Sequence, residues 1–290
     1  MIVKVEKAIL RIRHAHEIAQ QMGNGLVLAY SGGKDSDLLL DLAIKSGVPL
    51  VVQHNHTTVD APETVYYIRE VFLRLEKQGI PTKINWPPEI ETADGKRTRA
   101  TMWNLIPKKQ MPPTRLVRYC CEYFKHRQFD GQHIITGIRW SESVRRKRTR
   151  GLHEKLGVRP KDRIIYFDEN DAAHKLVDIC QSRAQIATNP IIDFTDADVW
   201  CYIKAQGLQV NPLYALGYKR VGCVGCPMAG SRGMNFEFQM YPKYEQAYIR
   251  AFDKMLESRR SKGKATSTLW KDGRDVMDWW AGRVPSSAKN

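Results

Sequence analysis

Three groups of residues carry chemistry in their types and spacing. The first is Ser31-Gly32-Gly33-Lys34-Asp35-Ser36, placed between an apolar run and a helical stretch. Small residues there let the backbone approach a phosphate, and amides at a helix N-terminus face the anion. Lys34 adds a mobile positive charge, Ser31 and Ser36 offer hydroxyl donors, and Asp35 is a magnesium ligand or a residue that orients the loop. A glycine turn with a helix cap is the alternative reading of the same six residues. The second group is Cys223 and Cys226, two residues apart in Cys-x-x-Cys spacing, with Gly222 and Gly225 free to curl the backbone so that both sulfurs face one centre. Cys120 and Cys121 offer two further thiolates, so the set fits an iron-sulfur cluster or zinc, and adjacent cysteines favour the cluster. The third is Arg139, at the end of the apolar stretch His133 to Ile138. Its guanidinium can hold two oxygens of an anion at once, or make a surface salt bridge.

The elements that must position these groups follow from apolar periodicity. Residues 25–30, 49–54, 82–86, 133–138 and 163–167 read as strands, the first of them a buried parallel strand. A helix over 35–46, apolar over most of its circumference, stops at Gly47, and another begins near Pro62. Strands alternating with helices predict a doubly wound α/β fold with a mostly parallel, Rossmann-like sheet. In such folds ligands bind at the C-terminal ends of strands, where Arg139 and the loop both lie. The proline-rich and basic segment 107–118 and the run Arg145 to Arg150 read as surface loops. Beyond Asn235 the aromatic and charged residues, with Trp270, Trp279 and Trp280, predict a small helical C-terminal appendage. The expected division is therefore 1–228 and 229–290. Trp279 and Trp280 read as packing anchors, Cys180 and Cys201 as inert core residues, and His54 and His56 as structural.

Composition bounds the possibilities. Hydrophobic residues at 42% and charged residues at 27% describe a chain that folds. No apolar run approaches the roughly 18–20 residues of a membrane span, and the charged N-terminal stretch does not read as a signal peptide, so a cytoplasmic protein without a membrane partner is expected. The six cysteines then favour metal over disulfides. The formal charge of +15 points to a polyanionic partner or an anionic substrate. Lys108, Lys109, Arg115, Arg118 and the run to Arg150 form either a track for nucleic-acid phosphates or a solvated face.

Further segments carry a family resemblance: Asn189-Pro-Ile-Ile-Asp-Phe-Thr195, Asp198-Val-Trp200, Asn211-Pro-Leu-Tyr214 and Gly217-Tyr-Lys-Arg-Val-Gly-Cys-Val-Gly-Cys226. With Gly137-Ile-Arg139, they resemble the signature of the phosphoadenosine phosphosulfate (PAPS) and adenylyl-sulfate (APS) reductase family, and Ser31 to Ser36 resembles the loop of ATP pyrophosphatases. The resemblance implies an adenine nucleotide alpha hydrolase type of fold. It implies nucleotide contacts from Ser31, Gly32, Gly33, Lys34, Asp35, Ser36 and Arg139, with Lys34, Asp35, Ser36 and Arg139 acting in catalysis. It also implies a [4Fe-4S] cluster on Cys120, Cys121, Cys223 and Cys226. Two features depart from the reductases. Those enzymes attack with a cysteine near the C-terminus, whereas no cysteine follows Cys226 here, and this loop keeps the full Ser-Gly-Gly-Lys-Asp-Ser of ATP splitters. The expected function is therefore an ATP pyrophosphatase that adenylates an acceptor such as DNA or RNA for sulfur transfer, with magnesium and a sulfur donor such as a cysteine desulfurase. The alternatives are a PAPS or APS reductase releasing sulfite with an external thiol, and a non-catalytic nucleotide-sensing or nucleic-acid-binding subunit.

Overall fold

A computed structural model of the chain describes residues 1–126, 129, 132–155, 165–166, 186–264 and 270–283. The sheet begins as the sequence predicts. Strand β1 (Leu26–Ala29) leads through the glycine turn into helix α2 (Lys34–Ser46), after the opening helix α1 (Ile2–Gln21). Strand β2 (Leu50–Asn55), helix α3 (Pro62–Lys77) and strand β3 (Thr82–Asn85) continue the alternation. A two-stranded antiparallel hairpin follows, β4 (Glu89–Glu91) with β5 (Arg97–Arg99). Strands β6 (His133–Ile135), β7 (His153–Lys155), β8 (Ile165–Tyr166) and β9 (Ile186–Thr188) complete a sheet ordered β3-β2-β1-β6-β9-β7-β8. The first five of these are parallel, with Val27 opposite Val51 on one side and Ile134 on the other. β7 runs antiparallel to β9 and β8 antiparallel to β7, so the strand expected near 163–167 closes the edge in the direction of the first five, and β7 alone is reversed.

The chain passes from β1 outward to β2 and β3, then returns to place β6 and β9 on the other side of β1. That reversal makes the C-terminal ends of β1 and β6 the topological switch point, where doubly wound sheets bind ligands. The core beneath it is continuous. Ala8, Ile12, Ala15 and Ala19 of α1 pack with Leu26 and Leu28 of β1 and with Leu38, Leu39, Leu42 and Ala43 of α2. Burying each leucine contributes about 1.5–3 kcal/mol, so this layer holds the loop's two flanking elements in place.

Compactness divides the chain into two discontinuous units. The first comprises Met1–Asn55, Pro62–Asn85 and Phe129–Val221 and contains the large sheet. The second comprises His56–Ala61, Trp86–Gln128 and Gly222–Asn290. Within the second unit, helix α4 (Met102–Lys109) lies with the C-terminal helices α8 (Gly230–Met240), α9 (Pro242–Ser261) and α10 (Gly273–Trp280). Residues 229–290, expected as an appendage, thus share this unit with 56–61 and 86–128. The bonds are specific: Trp280 Nε1 donates to the Pro113 carbonyl at 2.6 Å, and Arg259 donates to the Gln110 carbonyl at 2.8 Å. Trp280 is the packing anchor the sequence predicts, against Phe238, Tyr248 and Phe252.

Three sequence expectations need correction. The run at Arg145 is not a loop but helix α6 (Val144–Thr149), because Ser143 caps it by accepting from the Arg146 amide and Glu142 pairs with Arg146 one turn on. Pro107 likewise lies inside α4, whose Thr101 cap starts it. Cys201 is exposed, since Val199, Tyr202 and Ile203 form the buried side of helix α7 (Asp196–Gln206). Cys180 lies outside the described residues. Among the described residues, no helix is long and apolar enough to cross a membrane.

Candidate functional site

The loop between β1 and α2 is held by its own side chains. Gly32 has φ +69°, and a Cβ there would meet Ile68 Cγ1 at 2.9 Å, so both conformation and packing against α3 require glycine. Ser36 is buried, and its hydroxyl donates to the Gly33 carbonyl at 2.7 Å while accepting from the Gly33 amide at 3.1 Å. The Ser31 hydroxyl donates to Ser36 Oγ at 3.3 Å. Ser36, expected to face phosphate, is thus engaged in closing the loop in this structure.

Two residues that the sequence reading quoted without a role brace the loop from outside. Asn211 is fully buried and its Nδ2 donates to the Gly32 carbonyl and to Thr64 Oγ1, each at 3.1 Å. Its Oδ1 accepts from the Leu213 amide. The Tyr214 hydroxyl accepts from the Lys34 amide at 2.9 Å. The signal available in the sequence was the Asn211-Pro-Leu-Tyr214 segment itself. Asn211→Ala strips partners from buried backbone groups and is expected to destabilise the protein by about 2–3 kcal/mol. Thermal unfolding checks this, and an unchanged midpoint would mean that the brace is idle.

Around the loop stands a charged cluster. Lys34 is buried and its Nζ lies 2.9 Å from Asp196 Oδ1 and 3.3 Å from Asp35 Oδ2. Arg139 is 2% exposed, with NH2 at 3.1 Å from Asp196 Oδ1 and NH1 donating to Ser141 Oγ at 2.7 Å and to the Phe194 carbonyl at 3.3 Å. Its Nε lies 2.8 Å from Asp35 Oδ1 as an ion pair, without the alignment of a hydrogen bond. Asp35 is therefore spanned by two cations, which suits it to orienting the loop. Gly137 makes this possible, since a Cβ there would meet the Asp35 backbone at 3.2 Å.

Asp196, which sequence reasoning missed, is the exposed member of the cluster. Hydrogen bonding from Lys34 comes first among the causes that hold its carboxyl below the usual range, with Arg139 adding to it. Burial lowers the Arg146 guanidinium, Glu142 opposes this, and Arg220 and Arg150 add to it, so several arginines share one field beside Asp35.

Asp37, also missed, is buried at the start of α2, and burial raises its carboxyl to about 7 against the opposing hydrogen bond from Tyr30. Because the folded value is raised, the stability this group contributes is present at acid pH and is lost as pH rises through about 7. His54 is buried, with Nδ1 at 3.0 Å from the Tyr30 carbonyl just before the loop.

The four cysteines all belong to the second compact unit. Cys120 and Cys121 lie on the single helical turn α5 (Tyr119–Cys121), tied by the Cys121 amide to the Arg118 carbonyl. The Cys223-Val-Gly-Cys226 segment is pinned on several sides. The Val224 amide donates to the Val59 carbonyl at 2.8 Å, and Tyr248 donates to the Val224 carbonyl at 3.0 Å. Gly225, at φ +73°, donates to buried Glu237 at 2.7 Å, and a Cβ there would strike Phe238 at 2.6 Å. Hydrogen bonding with Cys121 and burial push the Cys120 thiol up, and Cys223 and Cys226 add to the shift. Burial raises the Cys223 thiol to about 11, opposed by Lys125.

The shift at Cys120 makes Cys223 and Cys226 its electrostatic neighbours, and a cation bound to thiolates there would oppose that shift. Among the described residues, no group of three or more His, Cys, Asp or Glu side chains is arranged to hold a metal ion as placed.

Comparison with known proteins adds four findings. The family signature described as the phosphoadenosine phosphosulfate reductase domain matches residues 25–229. An uncharacterized protein of Methanocaldococcus jannaschii is 27% identical over 262 residues, covering 86% of this chain, which spans 53% of that relative's length. An adenosine 5'-phosphosulfate reductase of Staphylococcus saprophyticus is 24% identical over 223 residues, 76% of either chain. Among solved structures, the U34-tRNA thiolase NcsA from Methanococcus maripaludis with its [4Fe-4S] cluster aligns at a TM-score of 0.45 with 12% identity, over 99% of this chain and 92% of its own.

Proposed function

The chain belongs to the phosphoadenosine phosphosulfate reductase domain family, and from that premise we propose that it is an ATP pyrophosphatase that adenylates a nucleic-acid acceptor for sulfur transfer. The observation that carries this reading is the placement of buried Lys34 at the N-terminus of α2, its Nζ held by the carboxylates of Asp35 and Asp196. In this reading the loop Ser31 to Ser36 receives the β- and γ-phosphates of ATP, with magnesium arriving on those phosphates. An acceptor oxygen attacks the α-phosphorus and the bond to the bridging oxygen breaks. Pyrophosphate leaves with the electron pair, and Lys34 takes up the charge that grows on it. The outer sulfur of a donor persulfide, such as that of a cysteine desulfurase, then displaces AMP together with the acceptor's oxygen, and an external thiol reduces the resulting disulfide to release the donor and leave sulfur on the acceptor. Arg139 orients Asp35 and offers its guanidinium to the nucleotide's anionic groups.

Cys120, Cys121, Cys223 and Cys226 would hold a [4Fe-4S] cluster, which would supply a thiophilic iron for the incoming sulfur. The chain's own part would be to carry the four half-buried thiols on pinned backbone, with Cys223 Sγ 3.4 Å from Thr57 Oγ1 and the Gly225 amide bonded to Glu237.

A second reading, reduction of APS or PAPS to sulfite with an external thiol, is favoured by the similarity to the staphylococcal reductase over three-quarters of both chains. One experiment separates them. Protein purified without oxygen is incubated with ATP in one case and with PAPS or APS in the other. The adenylating reading expects pyrophosphate, increased by RNA or DNA, with an equal amount of AMP either joined to the acceptor or released from it, and iron and sulfide that fall to background in Cys223→Ser. Sulfite without ATP splitting would establish the reductase instead, and neither product would leave a non-catalytic subunit.

A further inference from the structure

The second compact unit contains a cavity of about 440 Å³, within the roughly 300–1,000 Å³ range of small-ligand sites. Its walls include Trp86, Pro88, Ile90, Lys108 and Tyr123, together with Glu89 and Glu91. Trp86 is 47% exposed, unusual for the largest aromatic side chain. The His56 ring lies against the indole, 4.6 Å between centroids and inclined by 34°, which fixes the indole plane. The Arg99 guanidinium lies over the same ring at 5.5 Å, and Lys109 Nζ lies over the Tyr123 ring at 5.0 Å. Lys108 donates to the Glu91 carbonyl, which holds its ammonium at the wall, and Arg97 pairs with Glu89 at 3.1 Å. Between residues 86 and 126 eight Lys and Arg stand against four Asp and Glu.

Rigid aromatic faces with cations over them and a basic surround are what an unstacked base and its flanking phosphates require. The cavity also abuts the thiols in sequence, because Tyr123 follows Cys121 by two residues. We infer that this cavity takes one extruded base of a single-stranded nucleic acid, stacked on Trp86 and Tyr123 with its neighbouring phosphates on Arg99, Lys108 and Lys109. The inference rests on the reading of a nucleic-acid acceptor and names the part of the molecule that meets it. A free nucleotide would use the aromatic faces but gain little from the longer basic surround, whereas a strand uses both.

The test uses the full chain and fluorescein-labelled 12-nucleotide single strands of RNA and of DNA, read by anisotropy across a salt series. Trp86→Ala is expected to weaken binding about tenfold, with an unchanged dependence on salt because no charge is removed. Trp86→Phe, which keeps an aromatic face, should recover most of that loss. A strand carrying a run of abasic sites should bind the unaltered protein as weakly as the normal strand binds Trp86→Ala. Equal affinity of Trp86→Ala and the unaltered protein would overturn the inference. So would equal binding of abasic and normal strands, or competition by polyglutamate as effective as competition by unlabelled RNA. Pyrophosphate release from ATP by the unaltered protein in the presence of RNA or DNA judges the adenylating reading separately. Its absence alongside Trp86-dependent strand binding would sink that reading and leave the base site standing.

Discussion

Lys34→Ala is expected to lower pyrophosphate release from ATP by about 10²–10³-fold, the scale of losing one preorganised charge from a developing anion, while the protein melts close to its original temperature. The two expectations come from different atoms. Lys34 Nζ sits beside Asp196, whose side chain is 65% exposed, so the solvent-screened pair it loses is worth about 1 kcal/mol or less. Asp35 and Asp196 keep Arg139 as a partner, and neither is left buried without a cation. The loop keeps its shape because the bonds that close it run through Ser36, Asn211 and Tyr214, and Tyr214 accepts from the Lys34 backbone amide, which alanine retains. Turnover should fall while structure stays. Lys34→Arg should restore little, since a planar guanidinium replaces a compact ammonium in a buried niche already flanked by Arg139. Pyrophosphate assay and thermal denaturation of the same preparations read both halves. Unchanged turnover would remove Lys34 from the chemistry, and a collapse in melting temperature would make it a structural lysine.

How far the sequence foretold this site depends on distance along the chain. The strand, glycine turn and helix at 25–46 were legible because their signals are local: an apolar run, small residues needing a positive φ at Gly32, and a helix ending at Gly47 with φ +74°. The braces were not. Asn211 and Tyr214 reach Gly32 and Lys34 across 179 and 180 positions, and nothing in an Asn-Pro-Leu-Tyr turn states which carbonyl or amide it will meet. Asp196 was hidden for the same reason, since it reads as an acidic residue in the first turn of a helix.

The thiols divide in the same way. Each pair was visible in its spacing, but the unit that carries both is assembled from three separate stretches of chain. One strand near the sheet edge was missed where hydrophobic signal fails. His153–Lys155 is too short and polar to announce a strand, and it takes its place by pairing with Ile186–Thr188. The arginine run was read as a loop because its charge hides a helix started by Ser143, a cap whose effect outweighs the weak repulsion along one short exposed turn.

Arg139→Met should produce the opposite signature to Lys34→Ala: a clear loss of stability, about 1–3 kcal/mol, from hydrogen bonds and ion pairs of a buried side chain that are removed while Lys34 and solvent still screen the carboxylates. The guanidinium is 2% exposed and serves Asp35, Asp196, Ser141 and the Phe194 carbonyl together. Methionine fills much of its volume but satisfies none of them. Asp35 then keeps only Lys34 at 3.3 Å, and the Phe194 carbonyl keeps the Ser141 hydroxyl, which donates to it at 2.9 Å. Arg139→Lys should recover part of the loss, because one ammonium cannot reproduce a fork that reaches four partners. The measurement is denaturant unfolding of the single variants and of Arg139→Met combined with Asp35→Asn. If the cost is the charge left on Asp35, the double variant will be more stable than the sum of the two single effects. Simple additivity would instead place the loss in the contacts to Ser141 and Phe194. Since the NH1 and NH2 groups of Arg139 are already engaged within the protein, a nucleotide anion reaches them only where exposed Asp196 gives up its place. In the adenylating reading, Arg139 therefore acts first through the loop it holds, and Lys34 is the cation nearest to the chemistry.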